Sequence, residues 1–124
     1  MYHGEKIILL IDDDATNIFA LTAILKSRGY KYLTAREMHT AYAHLEAEPR
    51  IGIILMDMMI PVIDGYTATP QLKQNEQYAA IPVIAVTAQA MKGDREKCLD
   101  AGADEYIPKP IDVDRLDELL KKYL

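Results

Sequence analysis

Five short runs rich in Ile, Val and Leu alternate with longer segments of helical period, and this alternation constrains the fold more than any other feature of the chain. Continuous apolar runs of this length are typical of strands buried on both faces. Strictly alternating strands and helices with short connections favour a parallel sheet between two helical layers, joined by right-handed crossovers. The runs lie at about residues 6–11, 30–34, 52–57, 82–87 and 104–107.

The intervening segments predict amphipathic helices that cover the sheet. The first, at about residues 15–28, places Ile18, Leu21 and Leu25 on one stripe and stops before Gly29, a residue suited to a helix C-terminus. The other segments with a clear stripe span about residues 37–48, 92–101 and 112–123.

The third helical segment is interrupted by Pro70, which has no backbone N–H and disfavours a helical residue before it. A helix that ran straight from Gly65 through Lys73 would therefore be kinked. We predict instead that Thr69 is the N-cap and Pro70 the first helical residue, so that the helix starts late.

The length of 124 residues predicts one domain over 1–124, because globular domains cluster near roughly 100 to 150 residues. Residues 1–4 carry no pattern and are predicted to be a tail. The formal net charge of −5 argues against a nucleic-acid partner, since such partners draw on a clustered basic face.

The cysteine count and hydropathy bear on the compartment. Cys98 is the lone cysteine and cannot form an internal disulfide; its place in a helical segment predicts a small, buried or half-buried apolar residue rather than a reactive thiol. The sequence shows no charged-then-apolar leader and no apolar stretch of membrane-spanning length. We therefore expect a cytoplasmic location and no membrane contact by this segment.

Acidic residues follow two of the predicted strands. Asp12, Asp13 and Asp14 follow the first apolar run, and Asp57 ends the third. The carboxyl ends of parallel strands meet at one edge of the sheet, so these acids would crowd a single pocket. Mg²⁺ prefers such oxygen ligands; Asp13 and Asp57 could bind it directly and Asp12 through water.

Two further strand ends complete a chemically coherent set. Thr87 brings a hydroxyl donor and Lys109, followed by Pro110, brings a compact cation that can neutralise phosphate oxygens. A carboxylate nucleophile, a dication, a lysine and a hydroxyl together make a phosphoryl-transfer site. Asp57 is the natural nucleophile and would become an acyl phosphate.

Each residue taken alone has a simpler interpretation. Acids after a strand often only complement a helix dipole, and this is the expected role of Asp14. Thr87 alone would be a strand-edge residue, and Lys109 alone a solvated surface lysine. His39 and His44 are five apart, off the spacing of one helical face, so they predict surface residues rather than a metal pair.

Five motifs occur along the chain. They are Ile11-Asp12-Asp13-Asp14 with Asn17, Leu55-Met56-Asp57-Met58 with Pro61 and Asp64-Gly65, the run from Pro82 to Ala88, Gly102-Ala103-Asp104, and Lys109-Pro110. In combination they closely resemble response-regulator receiver domains over essentially the whole chain. That family implies a flavodoxin-like, doubly wound α/β fold with a five-stranded parallel sheet in the order 2-1-3-4-5 and five helices.

The resemblance implies a role for each matching position. Asp57 would be the phosphoacceptor, and Asp12 and Asp13 the metal-binding acids. The roles implied for the other positions are the backbone carbonyl of Met59 as a Mg²⁺ ligand, Thr87 and Tyr106 as the switch pair, Lys109 as the phosphate-binding lysine, and Pro110 as the residue after a cis peptide bond.

The resemblance also implies partners. The phosphoryl donor would be a histidine kinase or a histidine phosphotransfer protein that docks near the first helix. A downstream protein would read the α4–β5–α5 face, where a phosphorylation-dependent dimer could also form. Mn²⁺ is expected to substitute for Mg²⁺. The stretches Met58–Pro61 and Ala88–Met91 look somewhat like receivers of hybrid sensor kinases.

Met59 departs from members that carry a polar side chain there to orient hydrolytic water, so we expect slow spontaneous dephosphorylation. It also disfavours a haloacid-dehalogenase-type phosphatase, which needs a second acid at that place. Three aspartates after the first strand would repel the phosphate of a flavodoxin-type cofactor. We therefore expect no turnover enzyme on free substrates; the remaining alternative is a degenerate receiver that acts purely as a protein-interaction module.

Overall fold

The computed structural model describes residues 6–88 and 93–124. Within these ranges, five strands and five helices alternate. The strands are β1 Ile7–Ile11, β2 Lys31–Ala35, β3 Ile51–Asp57, β4 Val83–Thr87 and β5 Glu105–Pro108. The helices are α1 Ala15–Ser27, α2 Met38–Ala47, α3 Gly65–Gln74, α4 Asp94–Asp100 and α5 Val113–Tyr123. These bounds lie within two residues of the predicted ones, except for the start of α3 and for the parts of the prediction that fall outside the described residues.

The strands form one parallel sheet in the order β2-β1-β3-β4-β5, which confirms the predicted topology. β1 lies between β2 and β3, so that Ile11 pairs with Ala35 on one side and Met56 on the other. Every residue of β1 and β4 is buried, as their continuous apolar composition requires. Along the chain, β2 is added on one side of β1, and then β3, β4 and β5 are added in turn on the other side. The strand order therefore reverses between β1 and β3.

Alternate residues of the strands supply two hydrophobic cores, one on each face of the sheet. Leu9 and Ile11 of β1 pack toward α2, α3 and α4, whereas Ile8 and Leu10 pack toward α1 and α5. The helical residues of the first core are Met38, Ala41, Leu45, Ala68, Leu72 and Cys98. Those of the second are Leu21, Leu25, Leu116, Leu119 and Leu120.

The predicted late start of α3 is wrong. The helix begins at Gly65 and continues through Pro70, and its N-cap is Asp64, whose side chain accepts a hydrogen bond from the Thr67 N–H at 2.9 Å. The Ala68 N–H also donates to the Asp64 carbonyl at 2.9 Å, so a full turn has formed before Pro70 is reached. The proline then removes one hydrogen bond from an established helix instead of delaying its start.

Close packing at Gly65 explains why the helix starts there. A Cβ at position 65 would lie 2.6 Å from the Met58 Sδ, and the Gly65 N–H donates to the Met58 carbonyl at 3.1 Å. Thr69, the predicted N-cap, lies inside the helix and is fully buried, and its hydroxyl has no hydrogen-bond partner among the described residues.

Some predictions fall on residues outside the described ranges. These are the tail at residues 1–4, the start of α4 at Lys92 and the Gln89–Met91 part of the hybrid-kinase resemblance. Over residues 6–88 and 93–124, none of the helices has both the length and the apolar composition that a membrane span needs.

Candidate functional site

The chemically distinctive residues of the sequence lie at one edge of the sheet. Asp12 directly follows β1, Asp57 ends β3, Thr87 ends β4 and Lys109 directly follows β5. The strands are parallel, so all four positions are at carboxyl ends, beside the place where the strand order reverses.

Three carboxylates converge there. One oxygen atom from each of Asp12, Asp13 and Asp57 can be chosen so that all three lie within 4.8 Å of one another. Asp12 is 1% exposed and Asp57 is 5% exposed, so two of the three acids are almost withdrawn from solvent. Buried carboxylates need compensation by hydrogen bonds or by positive charge.

Backbone hydrogen bonds orient the two buried acids. The Asp14 N–H donates to Asp12 Oδ1 at 2.9 Å, and the Met59 N–H donates to Asp57 Oδ1 at 3.0 Å. The second oxygen of each carboxylate is therefore turned toward the shared pocket. Met59 itself has a half-exposed side chain and lies two residues beyond β3.

Lys109 supplies positive charge between these acids. Its Nζ lies 3.2 Å from Asp12 Oδ2 and 3.5 Å from Asp57 Oδ2. Its backbone N–H donates to the Thr87 carbonyl at 2.8 Å, which ties the lysine to the end of β4. The peptide bond between Lys109 and Pro110 is cis. One ammonium cannot neutralise three carboxylates, so the pocket favours a further cation.

The surroundings raise the pKa of Asp57. Burial is the largest cause; the Met59 N–H lowers the pKa, and the nearby charge of Asp12 raises it again. Lys109 opposes the rise without cancelling it. The protonated form is thus favoured relative to an acid in water, and a bound dication would reverse this preference.

The donor set fits Mg²⁺. Hard divalent ions of this size take carboxylate and water oxygens in an octahedral arrangement, and three carboxylates at one open edge can supply part of that shell. Among the residues that the structure describes, no sulfur or imidazole ligand belongs to the cluster, which makes a zinc centre of the usual kind a poor fit.

Thr87 and Tyr106 lie on the same face of the sheet. Tyr106 pairs with Ala85 across β4 and β5, and Ala85 is two residues from Thr87. Paired residues of parallel strands face the same side, as do residues two apart along a strand. Thr87 is fully buried, whereas Tyr106 is half-buried and packs against the core on that face.

Other sequence predictions have mixed outcomes. Asp14 caps α1, accepting from the Thr16 N–H at 2.8 Å, which agrees with its predicted helix-start role. Cys98 is fully buried, as predicted. His39 is exposed, and His44 is half-buried with Nε2 2.9 Å from the Thr34 carbonyl oxygen.

Sequence reasoning missed Asp94, a buried acid at the first position of α4. It is 6% exposed and bonded to Tyr66 of α3. Its only signal in the sequence is spacing, because Asp94 lies four residues before Cys98 and so shares the inward face of the helix.

Comparison with known proteins gives a consistent result. The sequence model of a family described as "Response regulator receiver domain" matches residues 8–121. The polar-differentiation response regulator DivK of Brucella anthropi is 38% identical over 119 residues, which cover 96% of each chain.

Solved structures of receiver domains have the same fold as this chain. The receiver domain of the sensor histidine kinase PA1611 of Pseudomonas aeruginosa, with a magnesium ion coordinated in its active-site cleft, has a TM-score of 0.86 and 37% identity over 97% of this chain and 98% of that one. The receiver domain of Ssk1 from Saccharomyces cerevisiae, co-crystallised with the histidine phosphotransfer protein Ypd1, has a TM-score of 0.84 at 21% identity over 99% of this chain and 91% of that one. Because its identity is only 21%, the similarity to the Ssk1 receiver domain is evidence about the fold alone.

Proposed function

This chain belongs to the response regulator receiver domain family of two-component signalling, and from that premise we propose that it is a switch controlled by phosphorylation of Asp57. One observation carries the proposal: the nearly buried Asp57 carboxylate lies beside Asp12 and Asp13, with Lys109 Nζ 3.5 Å away. A nucleophilic acid, a dication site and a phosphate-neutralising cation are thereby collected at one point.

The proposed step is a phosphoryl transfer. Asp57 Oδ2 attacks the phosphorus of a phosphohistidine, the bond from phosphorus to the imidazole nitrogen breaks, and the phosphoryl group remains on Asp57 as an acyl phosphate. The Met59 N–H holds Oδ1 and so leaves Oδ2 for the attack. Lys109 then transfers its ammonium contact from the carboxylates to the phosphoryl oxygens, and the Thr87 hydroxyl donates to another of them.

Asp12, Asp13, Asp57 and the Met59 backbone carbonyl would hold Mg²⁺, with Mn²⁺ as a substitute. When bound, the dication supplies charge neutralisation for the acids and for the transferring phosphoryl group. The magnesium ion of the Pseudomonas aeruginosa receiver supports this choice of metal, since that chain is 37% identical over almost its full length.

The output would be a shift between two packings of one face. The phosphoryl group adds charge and acceptor oxygens beside Thr87, and a bias toward one packing requires contacts that differ between the two. Movement of the Thr87 hydroxyl toward the phosphoryl group would let Tyr106 follow on the same side of the sheet. The face made by α4, β5 and α5 is therefore the proposed surface for a downstream protein and for a phosphorylation-dependent dimer.

A histidine kinase or histidine phosphotransfer protein is the proposed donor. A groove of about 210 Å³ runs beside the acceptor pocket, between α1 and the segment after β5. Its lining is mainly apolar and includes Lys109 of the acceptor pocket; the residues are Asn17, Ala20, Leu21, Ile24, Lys109, Pro110 and Ile111. Phe19, on the same helix α1 but outside the groove lining, is 77% exposed. Such donors act on the cytoplasmic side, where we place this domain.

The proposal is tested by phosphorylation without a kinase. The protein is incubated with Mg²⁺ and a small acyl-phosphate donor and then weighed by intact mass spectrometry, with Asp57→Asn as the matched control. We expect one added phosphoryl group on the unmodified protein and none on Asp57→Asn. An equal adduct on both proteins, or none on either, would refute the assignment of Asp57.

The same experiment separates the alternative. A degenerate receiver that acts only by protein contact would stay unmodified and would bind its partner equally with and without the donor. The presence of all three acids and of Lys109 in one pocket favours the phosphorylated switch over this alternative.

The lifetime of the acyl phosphate provides a further prediction. The half-exposed Met59 side chain ends in a thioether, which is only a weak hydrogen-bond acceptor for an attacking water molecule, so spontaneous hydrolysis should be slow. Met59→Asn should shorten the lifetime several-fold, as measured by the decay of the phosphorylated mass after the donor is removed. An unchanged decay rate would show that Met59 does not limit hydrolysis.

A further inference from the structure

β2 is the strand whose carboxyl end has no part in the proposed phosphorylation chemistry. It ends at Ala35, and Arg36 follows it with an exposed side chain. β2 pairs with β1, so Arg36 lies at the same edge of the sheet as the acids that follow β1. The Arg36 Nη2 donates a hydrogen bond to the Asp13 carbonyl at 2.7 Å. A side chain from the end of β2 thus reaches the backbone of one of the clustered acids.

This bond continues the contact between β1 and β2 beyond the end of the sheet. Ile11 pairs with Ala35, and the Asp12 N–H donates to the Ala35 carbonyl at 3.0 Å. Asp13 lies beyond the last pair of strand residues, where the regular ladder of hydrogen bonds has ended. The Arg36 guanidinium supplies the Asp13 carbonyl with a donor that the backbone of β2 does not provide.

The bonded carbonyl belongs to the same peptide group as a hydrogen-bond donor of the acidic cluster. The peptide between Asp13 and Asp14 accepts from Arg36 through its carbonyl at 2.7 Å and donates through its N–H to Asp12 Oδ1 at 2.9 Å. Because a peptide group is planar, a partner that fixes the carbonyl also fixes the direction of the N–H. A donor on the carbonyl polarises the group and strengthens the bond that its N–H makes. Arg36 therefore acts on the Asp12 carboxylate through one peptide group.

We propose that Arg36 is a positioning residue of the metal site. The inference rests on the proposed function and deepens it. The bond from Arg36 keeps Asp12 Oδ1 on the Asp14 N–H and leaves Oδ2 for the pocket, where Lys109 Nζ lies 3.2 Å away. The same bond holds the main chain of Asp13, whose carboxylate belongs to the cluster. Ligands that are held in place before the cation arrives bind it at a lower cost.

The simpler alternative is that Arg36 acts only through its charge. Among the described residues its guanidinium forms no ion pair with a carboxylate, and its hydrogen bond goes to the Asp13 carbonyl. A positive charge near a dication site repels the dication, so removal of the charge alone would strengthen Mg²⁺ binding. Loss of positioning would weaken it. The two explanations therefore predict opposite changes in Mg²⁺ affinity.

The test measures the Mg²⁺ affinity of the metal-stripped protein by NMR titration. Arg36→Met keeps an apolar stem but loses the donor and the charge, whereas Arg36→Lys keeps the charge and a donor for the same carbonyl. Lys31→Met is the matched control, because it removes an exposed positive charge from the opposite end of β2. We expect about tenfold weaker binding for Arg36→Met, the low end of what the partners of metal ligands contribute. Arg36→Lys should recover most of the affinity, and Lys31→Met should match the unmodified protein.

A second readout follows two backbone amides in the absence of metal. In Arg36→Met the Asp14 amide proton should move upfield and exchange faster with solvent, because its bond to Asp12 weakens. Arg36→Lys should restore both properties. The Met59 amide, which donates to Asp57 at the same edge of the sheet, should stay unchanged and so exclude a general loosening of the domain.

The outcomes separate the inference from the proposed function. Unchanged or tighter Mg²⁺ binding by Arg36→Met would overturn the inference in favour of a charge effect. An Asp14 amide that behaves as in the unmodified protein, or an equal loss of affinity in Lys31→Met, would overturn it as well. Failure of the unmodified protein to bind Mg²⁺ would instead refute the proposed metal site, and the inference with it.

Discussion

Asp57 holds its charge in surroundings that oppose it. Burial and the charge of Asp12 raise its pKa, although the Met59 N–H and Lys109 favour the ionised form. At neutral pH the folded chain therefore bears a penalty that the unfolded chain does not, because the unfolded carboxyl ionises freely near 3.8. The residue best suited to chemistry is a source of instability in the metal-free protein.

We therefore expect Asp57→Asn to stabilise the metal-free protein. The neutral amide can keep the Met59 hydrogen bond through its own carbonyl oxygen and removes the repulsion with Asp12, so the free energy of unfolding should rise by about 1 to 2 kcal/mol at pH 7. Urea unfolding of both proteins in the presence of a chelator measures this difference in the free energy of unfolding.

The pH dependence provides the control for this variant. For a group with a raised folded pKa the penalty is complete above that pKa, decreases as the pH falls through it, and vanishes below the unfolded value of 3.8. The advantage of Asp57→Asn should shrink in the same way on acidification. A constant advantage at every pH would contradict the electrostatic cause.

Val62 has a strained backbone conformation. It is a β-branched residue with a φ of 67°, in the left-handed region that favours glycine, and its side chain is 93% exposed. The loop after β3 is closed by the hydrogen bond from the Gly65 N–H to the Met58 carbonyl at 3.1 Å, so the strained residue lies in a loop with fixed ends.

Val62→Gly should accordingly raise the free energy of unfolding by about 1 kcal/mol, since relief of the side-chain clash exceeds the added entropy of the unfolded chain. Val62→Ala, which keeps a Cβ but loses the branch, should fall between the two. Thermal melting of the three proteins in parallel measures this order. A melting temperature of Val62→Gly below that of the unmodified protein would show that the loop is not strained.

At the level of single residues, the sequence could predict which residues form the site and where they lie along the strands. It could not predict backbone conformations in the loops or the burial of side chains between helices. The convergence of Asp12, Asp57, Thr87 and Lys109 follows from their places at strand ends in a parallel sheet. The positive φ of Val62 depends instead on loop closure, which no local pattern reports. The burial of Asp94 depends on packing between helices, and the spacing to Cys98 is its one signal in the sequence.

At the level of secondary-structure elements, the period of apolar residues predicted the strands and four of the helices well. The start of the remaining helix, α3, was predicted wrongly because of Pro70. The strands are marked by runs that no other element explains, and α5 by a stripe of leucines on one face. For α3 the local rule against proline was outweighed by the Asp64 cap and by the burial of Ala68 and Leu72. Tertiary packing stabilises a helix that local preference disfavours.

Pro70→Ala tests how far α3 is compromised. Alanine restores an N–H that can donate to the Tyr66 carbonyl and has a far better helix propensity. The substitution also removes the restriction that proline imposes on the unfolded chain, which offsets part of this gain in stability. We expect the free energy of unfolding to rise by about 2 kcal/mol. The measurement is urea unfolding with Gln74→Ala, an exposed change in the same helix, as the control that should stay within about 0.5 kcal/mol. Equal stability of Pro70→Ala and the unmodified protein would show that position 70 bears no cost in this helix.

At the level of the whole molecule, the fold separates stability from chemistry. Two apolar cores, one on each face of the sheet, hold the strands in place. The acids gather at the carboxyl edge, where the strand order reverses, and their mutual repulsion is only partly offset by Lys109. The cores supply the surplus stability that allows the edge to remain strained until a cation arrives.

Mg²⁺ should therefore stabilise the whole domain, and protons should compete with it. A ligand that binds only the folded state at a hundred times its dissociation constant contributes about 2.7 kcal/mol, which corresponds to a rise in melting temperature on the order of 10 °C for a chain of this size. The raised pKa of Asp57 makes its protonation compete with the metal at higher pH than for an ordinary aspartate. The rise in melting temperature caused by Mg²⁺ should thus be largest above that pKa and should diminish as the pH falls through it.

Thermal melting with and without Mg²⁺ over a series of pH values measures the effect. Asp13→Asn removes one carboxylate of the cluster and should lose most of the response to Mg²⁺, although the loss of repulsion raises its melting temperature in the absence of metal. Glu118→Gln, which removes one exposed negative charge from α5, should keep the full response. If Glu118→Gln and Asp13→Asn responded alike, the stabilisation would come from general screening of a chain of net charge −5 and not from a site at the carboxyl edge of the sheet.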